Sequence, residues 1–182
     1  MTFEKTVTLK DGRNCLLRNG VTSDGKAVLD VFNRTHEETD YLLTYSDENC
    51  FTASQEADFL QRKTDSTNTV EIIAIVDGVV AGTAGIDALG MRDKIKHRAV
   101  FGIAITKEFW GLGIGKSLME ACIECAREAG YLQLELEVVA ENERAVEMYR
   151  RAGFIEYGRN PKAFRLRTGE YQELIEMRLE LK

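Results

Sequence analysis

The sequence has a single proline, Pro161, no low-complexity segment and no internal repeat in its 182 residues. Because no change of composition marks a linker, one domain over residues 1–182 is predicted. No apolar run approaches the roughly 18 residues of a membrane-spanning helix. The N-terminus also lacks the basic and apolar regions of a signal peptide. These absences exclude a membrane span and predict a cytoplasmic protein.

The sequence also has fewer basic residues than acidic ones. Lysine and arginine total 24 against 30 aspartates and glutamates, which gives a net charge of −6. An excess of negative charge disfavours binding to a nucleic acid backbone. A small polar or cationic partner fits this balance better, and a hydrophobic content of 44% is typical of a globular domain.

Metal ligands are too few and too scattered for a zinc site. Cys122 and Cys125 form a C-x-x-C pattern, but no second such pair and no histidine pair completes four ligands. Both cysteines lie on the apolar face of a predicted helix. We therefore expect reduced, buried thiols and no metal.

Apolar periodicity and turn residues predict an alternation of strands and helices. The dipeptides Asp11-Gly12 and Asp77-Gly78 are typical of tight hairpins. A meander of three strands precedes a strand–helix–strand crossover, which predicts an α/β (α+β) fold with a mixed, mostly antiparallel sheet of about seven strands and helices on both faces. The predicted strands cover residues 6–9, 14–18, 70–76, 79–88, 99–105, 132–138, 154–159 and 172–181, and the helices begin at Ser23 or Asp24, Ser54, Ile114 and Asn142.

A glycine-rich loop separates the predicted strand 99–105 from the helix that follows it. Amides at a helix N-terminus can hold a phosphate or pyrophosphate. A P-loop would need a glycine where Trp110 stands, and a dinucleotide fingerprint would need one at Lys116 or Leu118. The pattern that remains is x-x-x-G-x-G at a helix start, carried by Gly113 and Gly115.

A second pattern lies on the predicted helix after the next strand. It reads Asn142-x-x-Ala145-x-x-x-Tyr149-x-x-x-Gly153-Phe154. Together the loop and the helix resemble the GNAT N-acetyltransferases, whose loop is usually [QR]-x-x-G-x-[GA] and whose later helix carries N-x-x-A-x-x-x-Y-x-x-x-G-F. The resemblance spans about 70–181 and is strongest over 99–154. It implies the GNAT fold, with a splay between its two central strands.

The resemblance also implies an activity: transfer of an acetyl group from acetyl-CoA to a primary amine by direct attack, without a metal. It implies that Asn142 bonds the pantetheine arm and that Tyr149 protonates the departing thiolate. Backbone groups of Ile103, Ala104 and Ile105 would bind the pantetheine and polarise the thioester carbonyl. The implied pyrophosphate loop consists of Trp110, Gly111, Leu112, Gly113, Ile114, Gly115, Lys116 and Ser117.

The chain departs from the family pattern at two positions that bear on the chemistry. Trp110 replaces the usual arginine or glutamine, so the phosphate site relies on backbone amides and Lys116. Val100 stands where many relatives have an acidic general base. The candidates left for the base are Glu137, Glu135 and His97, or a water chain.

The acceptor is less well specified by the sequence. The resemblance favours a small amino acid or amine, with a protein N-terminus, a polyamine, an antibiotic and a non-catalytic acyl-CoA sensor as alternatives. An acidic stretch over residues 37–48, with Tyr41 and Tyr45, is either an acceptor pocket or a solvated loop. Arg98 or Arg165 is a candidate to hold an acceptor carboxylate. Homodimers are common among the proteins that it resembles.

Overall fold

The computed structural model describes residues 1–181 and shows one mixed sheet flanked by helices. Eight strands run in the order β1-β2-β3-β4-β5-β6-β8-β7. The strands are β1 (Glu4–Thr8), β2 (Asn14–Asn19), β3 (Val70–Val76), β4 (Val79–Ala88), β5 (Arg98–Ile105), β6 (Gln133–Val139), β7 (Ile155–Arg165) and β8 (Tyr171–Glu180). The α-helices are α1 (Gly25–Glu38), α2 (Ala53–Asp65), α3 (Ile114–Glu128) and α4 (Glu143–Arg151). Within residues 1–181, no helix has the length and apolar character needed to cross a membrane.

The sheet has eight strands, slightly more than the seven or so predicted, and both strands of the N-terminal hairpin join it. β1 pairs with β2, and β2 pairs in turn with β3. Both predicted hairpin turns are confirmed. Gly12 has a φ of 89°, and Asp77 and Gly78 have φ values of 51° and 80°. Two successive positive φ angles suit the twist of a two-residue hairpin.

Helices cover both faces of the sheet, as predicted, and strand β3 shows this directly. Ile72 and Ala74 belong to the larger core, which includes the buried side chains of α3. Ile73, between them in sequence, belongs to a smaller core with Val28 and Leu60 from α1 and α2. Because successive side chains of a strand point to opposite faces, β3 is buried on both sides.

One predicted helix start is wrong. Helix α2 is capped by Thr52, not opened by Ser54. The Thr52 hydroxyl accepts a hydrogen bond from the Gln55 amide at 3.3 Å, and the Gln55 side chain accepts one from the Thr52 amide at 2.8 Å. This reciprocal capping box satisfies two backbone donors, whereas Ser54 lies inside the first turn.

The central strands β5 and β6 are parallel neighbours that separate soon after they meet. Their pairing covers only Arg98 with Gln133, Ala99 with Leu134, and Val100 with Glu135. Beyond this point β5 continues along β4, while β6 continues along β8. The predicted splay is therefore confirmed, and we call the point of separation the fork.

An ion pair joins the two strands at the fork. Arg98 donates two hydrogen bonds to the Glu135 carboxylate, one of them from Nη2 to Oε2 at 2.7 Å. Glu135 is only 7% exposed. Its hydrogen bond raises the pKa of Arg98 above its ordinary value. A bidentate pair of this kind constrains orientation as well as distance.

We expect Glu135→Ala to lower the free energy of unfolding by roughly 2–3 kcal/mol, because it leaves the Arg98 charge without its partner in a half-buried position. Glu137→Ala is the matched control, two residues further along β6 and exposed, and should cost no more than about 0.5 kcal/mol. Urea denaturation of the two variants measures the difference. Equal losses would show that the ion pair does not hold the fork.

Candidate active site

Beyond the fork, the separated strands open into a cleft of about 830 Å³. Its walls come from the end of β5, the glycine loop, the first turn of α3, helix α4, and the segment after α1. Most of the residues predicted from the sequence line it: Ile103, Ala104, Ile105, Trp110, Gly111, Gly113, Ile114, Gly115, Lys116, Glu137, Asn142 and Tyr149. The two motifs, separated in sequence, thus face one cavity.

The glycine loop is shaped to present backbone amides to this cavity. Gly111 and Gly113 have φ values of 86° and 99°, a conformation that L side chains rarely adopt. The Ser117 amide donates to the Gly113 carbonyl at 3.2 Å, which closes the first turn of α3. The amides that precede Ser117 in this turn have no acceptor within the helix, so they can bind an anion.

Gly115 differs from the other two loop glycines. A side chain there would begin 3.1 Å from the Met148 sulfur and 3.4 Å from the Ile105 Cδ1 atom. The missing side chain lets α3 pack closely against α4 and β5. Packing is therefore sufficient to explain this glycine, in addition to the pyrophosphate role that the motif implies.

Trp110 joins the loop to strand β5. Its indole N–H donates to the Ile105 carbonyl at 2.6 Å. The Arg144 guanidinium lies 5.4 Å from the centre of the indole ring, and the Lys107 ammonium lies 5.8 Å from it. A cation over an indole face is favourable. The ring thus holds the Arg144 side chain beside the loop.

Lys10 is a cleft residue that the sequence analysis missed. It lies in the hairpin between β1 and β2, and its amide donates to the Leu112 carbonyl of the glycine loop at 3.1 Å. Its Cγ atom is 4.0 Å from the position that a Gly113 side chain would occupy. No local pattern connects residues 10 and 113, so only the tertiary structure could reveal this cation.

Tyr149 is buried between two aromatic rings at the inner end of the cleft. It is 6% exposed and contacts Phe101 and Phe154, with ring centres 6.2 and 5.8 Å away. Burial raises the pKa of Tyr149 far above its usual range, so the phenol keeps its proton at neutral pH. A protonated phenol can act as an acid.

Asn142 has the position predicted for it, at the start of α4. Its side-chain oxygen accepts a hydrogen bond from the Ala145 amide at 3.3 Å. The cap uses the oxygen only. The NH₂ group of the same side chain remains a donor at the edge of the cleft.

The base candidates lie in different surroundings. Glu137 is exposed and lines the cleft. Glu135 is held by Arg98 at the fork. His97 precedes β5, where its carbonyl accepts from the Leu132 amide at 2.9 Å, and it is not part of the cleft lining. Of the three residues, only Glu137 is placed to exchange protons with a molecule in the cleft.

The acidic segment after α1 contributes less than predicted. Tyr41 lines the cleft, but Tyr45 does not. The Tyr45 hydroxyl accepts a hydrogen bond from the Arg167 amide at 3.0 Å, and Asp47 pairs with the Arg167 side chain at 2.7 Å. Glu38 accepts from the Lys107 amide at 2.6 Å. These contacts fasten the stretch to its neighbours. Tyr41, Leu42 and Leu43 line the cleft, whereas none of the acidic side chains of residues 37–48 does, so the stretch contributes apolar surface and not negative charge.

Cys122 and Cys125 are not suited to act as nucleophiles. Burial raises the pKa of Cys125 to about 12 and that of Cys122 well above its ordinary value. A thiol that keeps its proton attacks a thioester poorly. The expectation of buried thiols is confirmed for both residues. Over residues 1–181, no group of three or more histidine, cysteine, aspartate or glutamate side chains is arranged to hold a metal ion.

Comparison with known proteins gives concordant results. Residues 28–154 match the model of the acetyltransferase (GNAT) family. The L-amino acid N-acetyltransferase AaaT of Escherichia coli K12 is 31% identical over 118 residues, which cover 64% of this chain and 72% of that protein.

Two solved structures extend the similarity to nearly the whole chain. A GNAT-family acetyltransferase from Streptococcus pneumoniae superimposes with a TM-score of 0.87 at 28% identity, covering 91% of this chain and 99% of its own. A phosphinothricin acetyltransferase from Sinorhizobium meliloti, in complex with acetyl-CoA, gives a TM-score of 0.80 at 19% identity, with 96% and 89% covered. At that identity the second match shows the fold alone.

The family match includes the fork, the glycine loop and helix α4, which form most of the cleft. The fold, the motifs and the matched region therefore agree. The chain belongs to the GNAT acetyltransferase family, whose enzymes transfer an acetyl group from acetyl-CoA to an amine.

Proposed function

We propose that the acceptor is a small-molecule primary amine that attacks acetyl-CoA directly, with both molecules bound in the cleft at the fork. The observation that carries this proposal is the convergence of the glycine loop, Tyr149 and Glu137 on one cavity. The relative AaaT, named for the acetylation of amino acids, supports a small acceptor.

Strand β5 supplies an unpaired edge for the cosubstrate. After Val100 its side towards β6 has no partner strand, because β6 has turned away. Backbone groups along Ile103–Ile105 on that side can pair with the amides of an extended pantetheine arm, as a sheet edge pairs with an added strand. An N–H group of the same edge, aimed at the thioester oxygen, would stabilise the charge that develops there.

The anionic part of acetyl-CoA suits the end of this β5 edge that leads into the glycine loop. The amides of the first α3 turn, with Lys116 and Lys10 beside them, form a site for a pyrophosphate. Gly111 leaves the approach open, since nothing lies within 4 Å of where its side chain would begin.

Proton transfers complete the reaction. The amine nitrogen forms a bond to the acetyl carbon, and the carbon–sulfur bond breaks. Glu137, directly or through water, takes the proton that the amine loses, and Tyr149 donates its proton to the departing thiolate. The products are the N-acetylated amine and the free thiol of CoA, with no acetyl-enzyme intermediate.

The test of this function is thiol release from acetyl-CoA in the presence of single primary amines, with calorimetry of acetyl-CoA binding on the same preparation. We expect both binding and amine-dependent turnover. Binding without turnover on any amine would favour the acyl-CoA sensor, and absence of binding would refute the assignment of the loop.

Tyr149→Phe should reduce kcat by roughly 10²- to 10⁴-fold with little change in acetyl-CoA affinity, because a leaving-group acid acts in the transition state. Tyr131→Phe is the control, since Tyr131 is a buried tyrosine whose hydroxyl donates to the Asn68 carbonyl. It should keep kcat within about twofold. An unchanged kcat in Tyr149→Phe would remove this residue from the mechanism.

Gly113→Ala should weaken acetyl-CoA binding at least roughly tenfold, because a side chain at the start of α3 distorts the loop that presents the amides. Gly130→Ala controls for backbone strain. Gly130 follows the opposite end of the same helix, has a φ of 80°, and has open space around it. Calorimetry compares the two, and similar losses of affinity would point to a global effect.

Lys10→Ala should weaken acetyl-CoA binding roughly three- to tenfold, with kcat unchanged, because one exposed charge–phosphate contact is lost. Lys5→Ala is the control on the same hairpin, exposed and away from the cleft lining. The difference between the two variants should shrink as salt concentration rises. Equal affinities in both variants would show that Lys10 does not reach the cosubstrate.

A further inference from the structure

We infer that the acceptor is a primary amine with an apolar body and without a free carboxylate beside the amine. This inference rests on the proposed function and narrows its substrate class. Two features of the cleft support it: the apolar surface away from the glycine loop, and the positions of the cationic side chains.

The part of the cleft away from the glycine loop is mainly apolar and aromatic. It is formed by the segment after α1 together with β5, β7 and β8. We call this surface the acceptor wall, and it consists of Tyr41, Leu42, Leu43, Phe101, Phe164 and Leu174. Leu43 is 79% exposed. An exposed apolar side chain at the rim of a cleft favours contact with an apolar ligand.

Glu137 is the one charged residue that β6 contributes to the cleft lining. The lysines and arginines of that lining within residues 1–181 are Lys10, Lys116, Arg144 and Arg151. Lys10 and Lys116 flank the glycine loop, and Arg144 stacks on Trp110. Arg151 pairs with Glu147 on α4 at 2.8 Å. Three of these four cations are therefore grouped around the glycine loop, and the fourth, Arg151, is paired with a carboxylate.

Arginines near the acceptor wall are engaged by other side chains, two of them by carboxylates and one by an aromatic ring. Arg167 pairs with Asp47 at 2.7 Å and covers the Tyr45 ring. Arg98, a predicted carboxylate ligand, pairs with Glu135 at the fork. Arg165, the other predicted ligand, lies outside the cleft lining with its guanidinium over Tyr171. Neither predicted carboxylate ligand is placed to meet an acceptor.

An amino acid would meet two penalties in such a site. Its carboxylate is two bonds from the attacking nitrogen, so it must enter the same space as the amine. There it would lose water against apolar side chains without gaining a bidentate arginine. It would also be repelled by the carboxylate of Glu137. An alkylamine has neither penalty, and its ammonium form is attracted by Glu137.

The experiment compares acceptors that differ only in the carboxylate. Steady-state kcat/KM is measured for phenethylamine against L-phenylalanine, and for 3-methylbutylamine against L-leucine, with the matching amino acid amides as a third member. We expect each alkylamine to exceed its amino acid at least roughly tenfold, and each amide to lie on the alkylamine side. Alkylamines are more basic than amino acids and thus less deprotonated at neutral pH, so amine basicity cannot produce the preference of alkylamine over amino acid. The amides have less basic amines, so their kcat/KM is compared per concentration of deprotonated amine.

A charge-removing variant tests the cause. Glu137→Gln lowers the rates of both acceptors if Glu137 is the base, but that effect cancels in the ratio of their kcat/KM values. We expect the preference for phenethylamine over phenylalanine to fall severalfold in this variant. Phe164→Arg, with Phe164→Met as its neutral control, should shift the ratio further towards phenylalanine by adding a cation to the acceptor wall.

The outcomes separate this inference from the proposed function. Turnover of phenylalanine or leucine at or above the rate of the matched alkylamine overturns the inference and leaves the proposed function intact. An unchanged ratio in Glu137→Gln overturns the electrostatic part of the argument. Acetyl-CoA binding without turnover of any of these amines overturns both.

Discussion

The separation of β5 from β6 is the constraint on which the site depends. Parallel strands in a sheet normally stay hydrogen-bonded, and here they part after three residue pairs. The Arg98–Glu135 ion pair spans this short ladder, from Arg98 in its first pair to Glu135 in its last. A single local break thus creates the cleft and leaves the edge of β5 unpaired for a ligand. The glycine loop and α4 both line the cleft that this opening creates.

The positive charge that serves the phosphate end of the cleft comes from several elements. Lys116 belongs to α3, Arg144 to α4, and Lys10 to the N-terminal hairpin. Trp110 occupies the position where relatives often have a charged or polar residue, and it holds Arg144 by stacking. A ring that contributes no charge itself can therefore keep a cation in place through tertiary contact.

Local features of the site were predictable from sequence, whereas long-range partnerships were not. The glycine loop, the Asn142 cap and both hairpin turns depend on residues a few positions apart, and the structure has each where it was predicted. Lys10 beside Gly113 and Arg98 beside Glu135 join distant segments, and no pattern of apolar residues encodes such pairs. Glu135 and Glu137 look equivalent in an alternating strand, but only their neighbours on β5 make one of them a structural anion.

The ties from Arg167 to Tyr45 and Asp47 connect two segments that are far apart in the chain. One follows α1, and the other is the turn between β7 and β8, beyond the 28–154 region that matches the family model. Phe164 of β7 and Leu174 of β8 line the cleft from outside that region as well. On the proposed assignment, amine preference can diverge through these surface segments without a change in the central β5–α4 unit.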